Sequence, residues 1–305
     1  MNSNIPHKSI VLAIGKSCFL ACRGCYNNFS CEEEIPKEEV ITFVKYLKES
    51  HDISKITVGG GDPLSRKDIV EILKEIKSLG IFINLDTTGL PLLCDTRIIF
   101  NGNGIGNKLE VEDVINNIDV LGLPIDGANE DINKMFRAGR EGFLQEELRL
   151  LDILNQYNVN ICINTVVHKG NCKQLEEIAN LLKQFKNIFK WQLFQFIPTG
   201  PIGYKNSDKF VISDSIYGRR IRNLQNYMVE QGINIKLDPK SRTRRKNIYL
   251  LIDSNGDAWC PKTSTKKKWE VLDDSTDERI VWGNIRKRED WDRIVNDAFS
   301  YQGSL

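Results

Sequence analysis

Eight cysteines punctuate the 305 residues, and Cys18, Cys22, Cys25 and Cys31 fall close together while Cys94, Cys162, Cys172 and Cys260 are scattered. A secreted disulfide scaffold is short and cysteine-dense, and this chain is neither. Clustered thiols in a chain of this kind point to metal or redox chemistry. Three thiolates at 18, 22 and 25 can ligate three irons of a cubane and leave the fourth iron, normally also held by Cys, open to chelate a small molecule. The same spacing admits a zinc site short of one ligand, a redox Cys-x-x-Cys, or simply buried thiols. Further along, Gly59-Gly60-Gly61-Asp62-Pro63 offers backbone that a ligand can approach closely and a carboxylate that can pair with an ammonium group. Cys31, beside Glu32, Glu33 and Glu34, reads as a bystander, with a fourth ligand as the alternative. His168 reads as a structural group, with a substrate contact as the alternative.

These residues need elements to position them, and the chain alternates strand and helix. Strand patterns cover residues 9–15, 56–58, 81–86, 119–126, 159–167 and 191–197. Helical stripes cover 37–49, 68–78, 109–118, 145–157 and 172–185. Repeats of this type imply parallel strands with right-handed crossovers, hence an α/β fold. Six strands make a partial (β/α)6 barrel, two units short of closure. The Cys18 segment follows the first strand, at the sheet end where ligands bind in α/β proteins. Pro198, Gly200, Pro201 and Gly203 form a breaker cluster. A helix is then expected over 213–231, a hairpin over 248–260 turning at Asn255-Gly256, and a last helix over 287–298. The expected division is a barrel over residues 1–200 and a small α+β extension over 201–305 covering its open side.

Cys18, Cys22, Cys25 and the adjoining Tyr26 resemble the CxxxCxxC signature of the radical S-adenosylmethionine (SAM) superfamily. Later features agree in order. Gly60, Gly61 and Asp62 stand where that family receives the SAM amino group, and Thr88 stands at its third-strand step. Asp126 with Arg137 resembles the fourth-strand aspartate and the arginine that meets the SAM carboxylate. Asn164 falls where the family contacts ribose or carboxylate, and Phe196 and Ile197 fall where it lines adenine. The resemblance, over about residues 9–200, implies a [4Fe–4S] cluster on the three cysteines, SAM, and hydrogen abstraction by a 5′-deoxyadenosyl radical.

The branch is less uniform. The first third resembles activases that install a glycyl radical on anaerobic ribonucleotide reductase. The middle is similar to viperin-like enzymes, which dehydrate nucleoside triphosphates, but Cys162 and Gln192 stand where those enzymes carry lysines. The tail from Ile252 resembles the SPASM extension of peptide- and sugar-modifying members, yet only Cys260 remains of its cluster cysteines. Cys260 thus has two readings, a buried relic or a hydrogen-atom donor of the kind some radical SAM epimerases use. The resemblance implies a small polar substrate and a redox-neutral epimerisation, dehydration or rearrangement. The alternatives are the activase and a peptide maturase or epimerase.

Lys+Arg (42) and Asp+Glu (41) nearly cancel, which removes a global electrostatic case for nucleic acid. No apolar run reaches membrane-spanning length, and the first residues lack a secretion-signal pattern. The expected compartment is the cytoplasm. The basic runs 242–246 and 262–268 read as solvated faces, or as attraction for an anionic substrate or an electron donor such as flavodoxin or ferredoxin.

Overall fold

The computed structural model describes residues 9–27, 33–245, 249–261 and 279–300; Cys31, Lys246 and the run 262–268 lie outside the described residues. In chain order the strands are β1 (Ser9–Gly15), β2 (Lys55–Gly60), β3 (Phe82–Asp86), β4 (Thr96–Arg97), β5 (Ile105–Gly106), β6 (Val120–Pro124), β7 (Ile161–Val167), β8 (Ile188–Gln195), β9 (Lys236–Lys240), β10 (Tyr249–Asp253), β11 (Asp257–Pro261) and β12 (Arg279–Asn284). The helices are α1 (Lys37–His51), α2 (Ile69–Ser78), α3 (Val111–Ile115), α4 (Glu130–Phe136), α5 (Phe143–Leu154), α6 (Leu175–Leu182), α7 (Gly200–Lys205), α8 (Ser207–Phe210), α9 (Asp214–Glu230) and α10 (Trp291–Ser300).

The six expected strands pair in parallel as β1-β2-β3-β6-β7-β8. Two further parallel strands come from beyond residue 200. β9 adds to β8 at one edge, and β10 adds to β1 at the other. β11 and β12 continue antiparallel past β10. Among the described residues no ladder joins β9 to β10, so the barrel stays open there and residues 241–245 follow β9 at the seam. The sequence pattern missed β9 because Pro239 interrupts it. A proline is tolerated on a strand paired on one side only.

Alternation along the strands sorts their side chains. Ile10, Leu12 and Ile14 of β1, Ile56 and Val58 of β2, and Ile83 and Leu85 of β3 are buried in one core with the helices. Opposite them, α1 buries Val40, Ile41, Phe43, Val44 and Leu47 at helical spacing, and α2 buries Ile69, Ile72, Leu73 and Ile76. Each such aliphatic side chain contributes about 1.5–3 kcal/mol on burial. The inward positions are different: Lys55, Thr57, Asn84, Asp86 and Asn164 line a chamber of 540 Å³. A parallel barrel with a polar interior encloses a ligand chamber rather than a packed core.

Candidate active site

The segment from Cys18 to Asn27 leaves the C-terminal end of β1 and is fastened on several sides. Cys18 N donates to Phe100 O (3.0 Å), Ala21 N to Ala138 O (2.7 Å) and Arg23 N to Phe136 O (2.9 Å). Asn27 Nδ2 donates to Gly60 O, tying the loop to the end of β2. The glycine step is equally constrained. Gly61 N bonds Gly15 O (2.8 Å) and Asp62 N bonds Ser17 O (2.7 Å). Gly60 has φ of 125°, and a Cβ there would lie 2.7 Å from the Ala13 carbonyl carbon. Only glycine fits this approach.

Cys18, Cys22 and Cys25 line the same chamber. Burial pushes all three thiols up, Cys25 to about 12, and the Cys22 charge adds to the rise at both Cys18 and Cys25. Three thiols lining one chamber are the donor set a [4Fe–4S] cluster takes, and iron binding would draw off their protons. Arg137 adjoins them, with Nη1 3.7 Å from Cys22 Sγ.

Of the residues expected to meet SAM, Tyr26, Gly60, Gly61, Thr88, Arg137, Asn164, Phe196 and Ile197 line the chamber. Asp62 and Asp126 do not line it. Asp62 is 0% exposed. Its carboxylate accepts from Leu64 N (3.0 Å), Thr87 Oγ1 (2.6 Å), Thr88 N (2.8 Å) and Thr88 Oγ1. Four donors leave it no capacity for an ammonium group; it braces the turn that presents Thr88. Burial raises its carboxyl pKa, and these hydrogen bonds pull it back. Asp126, also 0% exposed, accepts from Val166 N (2.6 Å) and Arg137 Nε (2.5 Å). It thereby holds the Arg137 side chain beside the chamber.

Cys260 lies away from the chamber. Its neighbour Trp259 lines the chamber, so alternation sends Cys260 to the opposite face of β11. There it is 0% exposed in the core with α10, and its sulfur accepts from Trp282 Nε1 at 3.1 Å. That position favours the structural reading of Cys260 over the donor reading. His168 is likewise removed from the chamber. It lies among Phe136 and Phe210, with ring centroids 5.3 and 5.0 Å away, and its Nδ1 accepts from Gly170 N. Burial, and then the Arg137 charge, lowers its pKa to about 3, so it is neutral.

Sequence reasoning missed most of the inner wall. Asp86 is the main omission. Its Oδ1 accepts from Asn84 Nδ2 (2.8 Å) and Asn164 Nδ2 (2.9 Å), and burial raises its pKa against the pull of those bonds and of Lys190 and Lys55. Lys55, Lys190, Lys240, Arg242 and Arg245 also line the chamber. The signal lay in the alternation itself: Lys55-Ile-Thr-Val and Phe82-Ile-Asn-Leu-Asp86 put polar residues at alternate places in strands whose other positions are apolar.

The sequence model of the Radical SAM superfamily matches residues 12–182. The chain belongs to the radical SAM superfamily. It is an enzyme, and its cofactors are a [4Fe–4S] cluster and SAM. This radical SAM chain is 24% identical over 266 residues to an S-adenosylmethionine-dependent nucleotide dehydratase of Flammeovirga pacifica, covering 84% of this chain and 82% of that protein. It is 25% identical to one of Lacinutrix mariniflava, covering 83% of this chain but spanning only half of that protein. Among solved structures, anSMEcpe with bound AdoMet and Kp18Cys peptide superposes with a TM-score of 0.65 at 15% identity, covering 96% of this chain and 83% of that one. Streptococcus suis SuiB bound to precursor peptide SuiA also gives 0.65 at 15%, covering 83% and 58%. At such identities the structures show a shared fold.

Proposed function

We propose that Cys18, Cys22 and Cys25 hold the cluster and that the enzyme acts by hydrogen abstraction on a small polar metabolite enclosed in the barrel. Held by those thiolates, the cluster would supply the single electron that SAM cleavage needs, and the chamber would confine the hydrogen abstraction that follows. The chain's own groups place the reactants. Arg137, steered by Asp126, faces the SAM carboxylate. The backbone at Gly60 and Gly61 would receive the amino group, Asn164 would serve the ribose or carboxylate, and Tyr26, Phe196 and Ile197 would pack against adenine. β9 and β10, from beyond residue 200, extend the parallel sheet at its two edges and support the reading of the later residues as an extension beside the open side. With Cys260 turned away, dehydration or rearrangement is preferred to epimerisation, and the relatives named as nucleotide dehydratases support dehydration. The carrying observation is one chamber that joins three thiols to a wall of polar side chains. Such chemistry needs a low-potential donor such as flavodoxin or ferredoxin and a reducing compartment, taken here as the cytoplasm. Among the described residues no helix is long and apolar enough to cross a membrane.

The test is anaerobic reconstitution with iron and sulfide, then SAM and dithionite, with 5′-deoxyadenosine as the readout. The wild type is expected to be brown and to form it, and Cys22→Ala to lose both. A colourless, zinc-loaded protein would refute the reading.

A further inference from the structure

The chain's charges cancel globally, 42 Lys+Arg against 41 Asp+Glu, but not locally. Unpaired cations gather on the outside of the cysteine turn. Arg23, between Cys22 and Cys25, is exposed, and its carbonyl accepts from Asn206 Nδ2 (2.9 Å). Asn206 joins α7 to α8 and so brings Lys205 and Lys209, both exposed, beside that turn. Lys209 Nζ in turn donates to Asn206 Oδ1 (3.2 Å). Lys169 is exposed just past β7, and its N–H bonds Phe210 O (3.1 Å) at the close of α8. Arg23, Lys169, Lys205 and Lys209 form no ion pair among the described residues. Beside Lys169, α4 presents Met135, 40% exposed, and a Cβ at Gly170 would lie 2.9 Å from its sulfur. The same face carries an exposed Asp208 and the neutral Lys134–Asp131 pair (3.0 Å). Its cations therefore outnumber its acids by about three charges.

Position, more than charge, says what such a face is for. The turn it surrounds carries two of the three chamber thiols, and α7 packs on it, with Gly203 placed so that a Cβ would lie 3.8 Å from Cys25 O. SAM and substrate would take the inner side of the thiols, so an electron has to arrive from the outer side. A partner seated on this face is separated from Cys22 and Cys25 only by Arg23 and the half-buried Gly24. A second depression near the cysteine segment, 600 Å³ and floored by Ile99 and Gly139, lacks the charge excess. Its lining sets Arg97 against Glu141, and Arg140 is paired with Glu146 (2.5 Å). Arg242 and Arg245 line the chamber, which withdraws them from a protein partner. An adaptable apolar side chain such as Met135, rimmed by cations, is the anatomy of a protein contact site.

We propose that Arg23, Lys169, Lys205 and Lys209, around Met135, form the docking face for a small acidic electron-transfer protein. The partner gives up one electron and the cluster gains it, with no atom transferred. This rests on the reading of the three thiols as the cluster site, and it adds where the donor sits. A transient redox contact needs only a small area, and opposite charge speeds the encounter.

Oxidised flavodoxin of net negative charge serves as probe, titrated calorimetrically and without oxygen into reconstituted holoenzyme. Saturable binding is expected, weakened about tenfold or more by Lys205→Glu combined with Lys209→Glu, and about tenfold by raising salt from about 0.05 to 0.3 M. Lys45→Glu combined with Lys74→Glu makes the same change in net charge on the exposed sides of α1 and α2, and should bind within about twofold of wild type. Turnover to 5′-deoxyadenosine gives a second readout. Dithionite needs no docking face, so all variants should match wild type with it. Reduced flavodoxin should drive the Lys205/Lys209 variant about tenfold more slowly than wild type. Absent flavodoxin binding, equal weakening by the two double variants, or unchanged flavodoxin-driven turnover in the Lys205/Lys209 variant would overturn the assignment. The failures are separable. No 5′-deoxyadenosine under dithionite, with face-dependent binding intact, sinks the catalytic reading alone. Dithionite-driven product with no face-dependent binding sinks the docking face alone.

Discussion

Asp126→Asn isolates what the buried ion pair does. Asp126 is fully buried, and the Arg137 side chain is 16% exposed. At about 4 Å and an effective dielectric near 20, such a pair attracts by about 4 kcal/mol. The substitution keeps shape and retains an oxygen for Val166 N, but it turns the Arg137 contact into either two opposed donors or a neutral hydrogen bond. A buried cation stripped of its partner costs about 3–5 kcal/mol. Arg137 still has the Phe136 ring at 5.3 Å and the Cys22 sulfur at 3.7 Å, which places the expected loss near the lower end, about 3 kcal/mol. Urea unfolding of the metal-free protein reads this loss, provided the transition is two-state. SAM titration of the reconstituted protein should show affinity down about tenfold, because Arg137 is no longer held in place. Adding Arg137→Met should recover part of the stability but not the SAM affinity, since no unpaired charge then remains buried. A loss under about 1 kcal/mol with unchanged SAM affinity would refute the positioning role.

Two further outcomes follow from burial. His168, with a folded pKa of about 3 against an ordinary value of 6.5, takes up its proton more readily once unfolded, so stability is lost as pH falls through that window. At pH 5.5 this amounts to about 1.4 kcal/mol, and His168→Gln should flatten the urea midpoint between pH 6.5 and 4; an unchanged acid slope would count against a buried neutral imidazole. Cys260→Ala should cost about 1 kcal/mol, through the lost Trp282 contact and a small void, and leave substrate turnover intact; a turnover loss in the folded variant would restore the donor role.

Local spacing made much of the site readable. Three thiols four and three residues apart need no knowledge of the fold to suggest a cluster, and the glycine step after β2 shows itself by composition. The strands and longer helices were legible because their apolar periodicity is strong. α4 was not, because Glu130–Phe136 buries only Asn133 and Phe136 and so carries no apolar stripe.

What the sequence alone determined is therefore the order of the six barrel strands and their longer helices, the grouping of the thiols, and the set of residues that come to the C-terminal ends of those strands. Tertiary structure alone decided which way several of them face. Asp62 and Asp126 look like ligand contacts in sequence, but hydrogen bonds from residues up to 40 positions away turn them inward to brace Thr88 and Arg137. Cys260 differs from Trp259 by one residue, and only the pairing of β10 with β1 fixes which of them faces the chamber. Arg242 and Arg245 belong to a basic run that reads as a solvated surface, and they become chamber wall because β9 pairs with β8. The physical reason is common to all of these. A strand's alternation is local, whereas the identity of its inner face is set by partners distant in the chain.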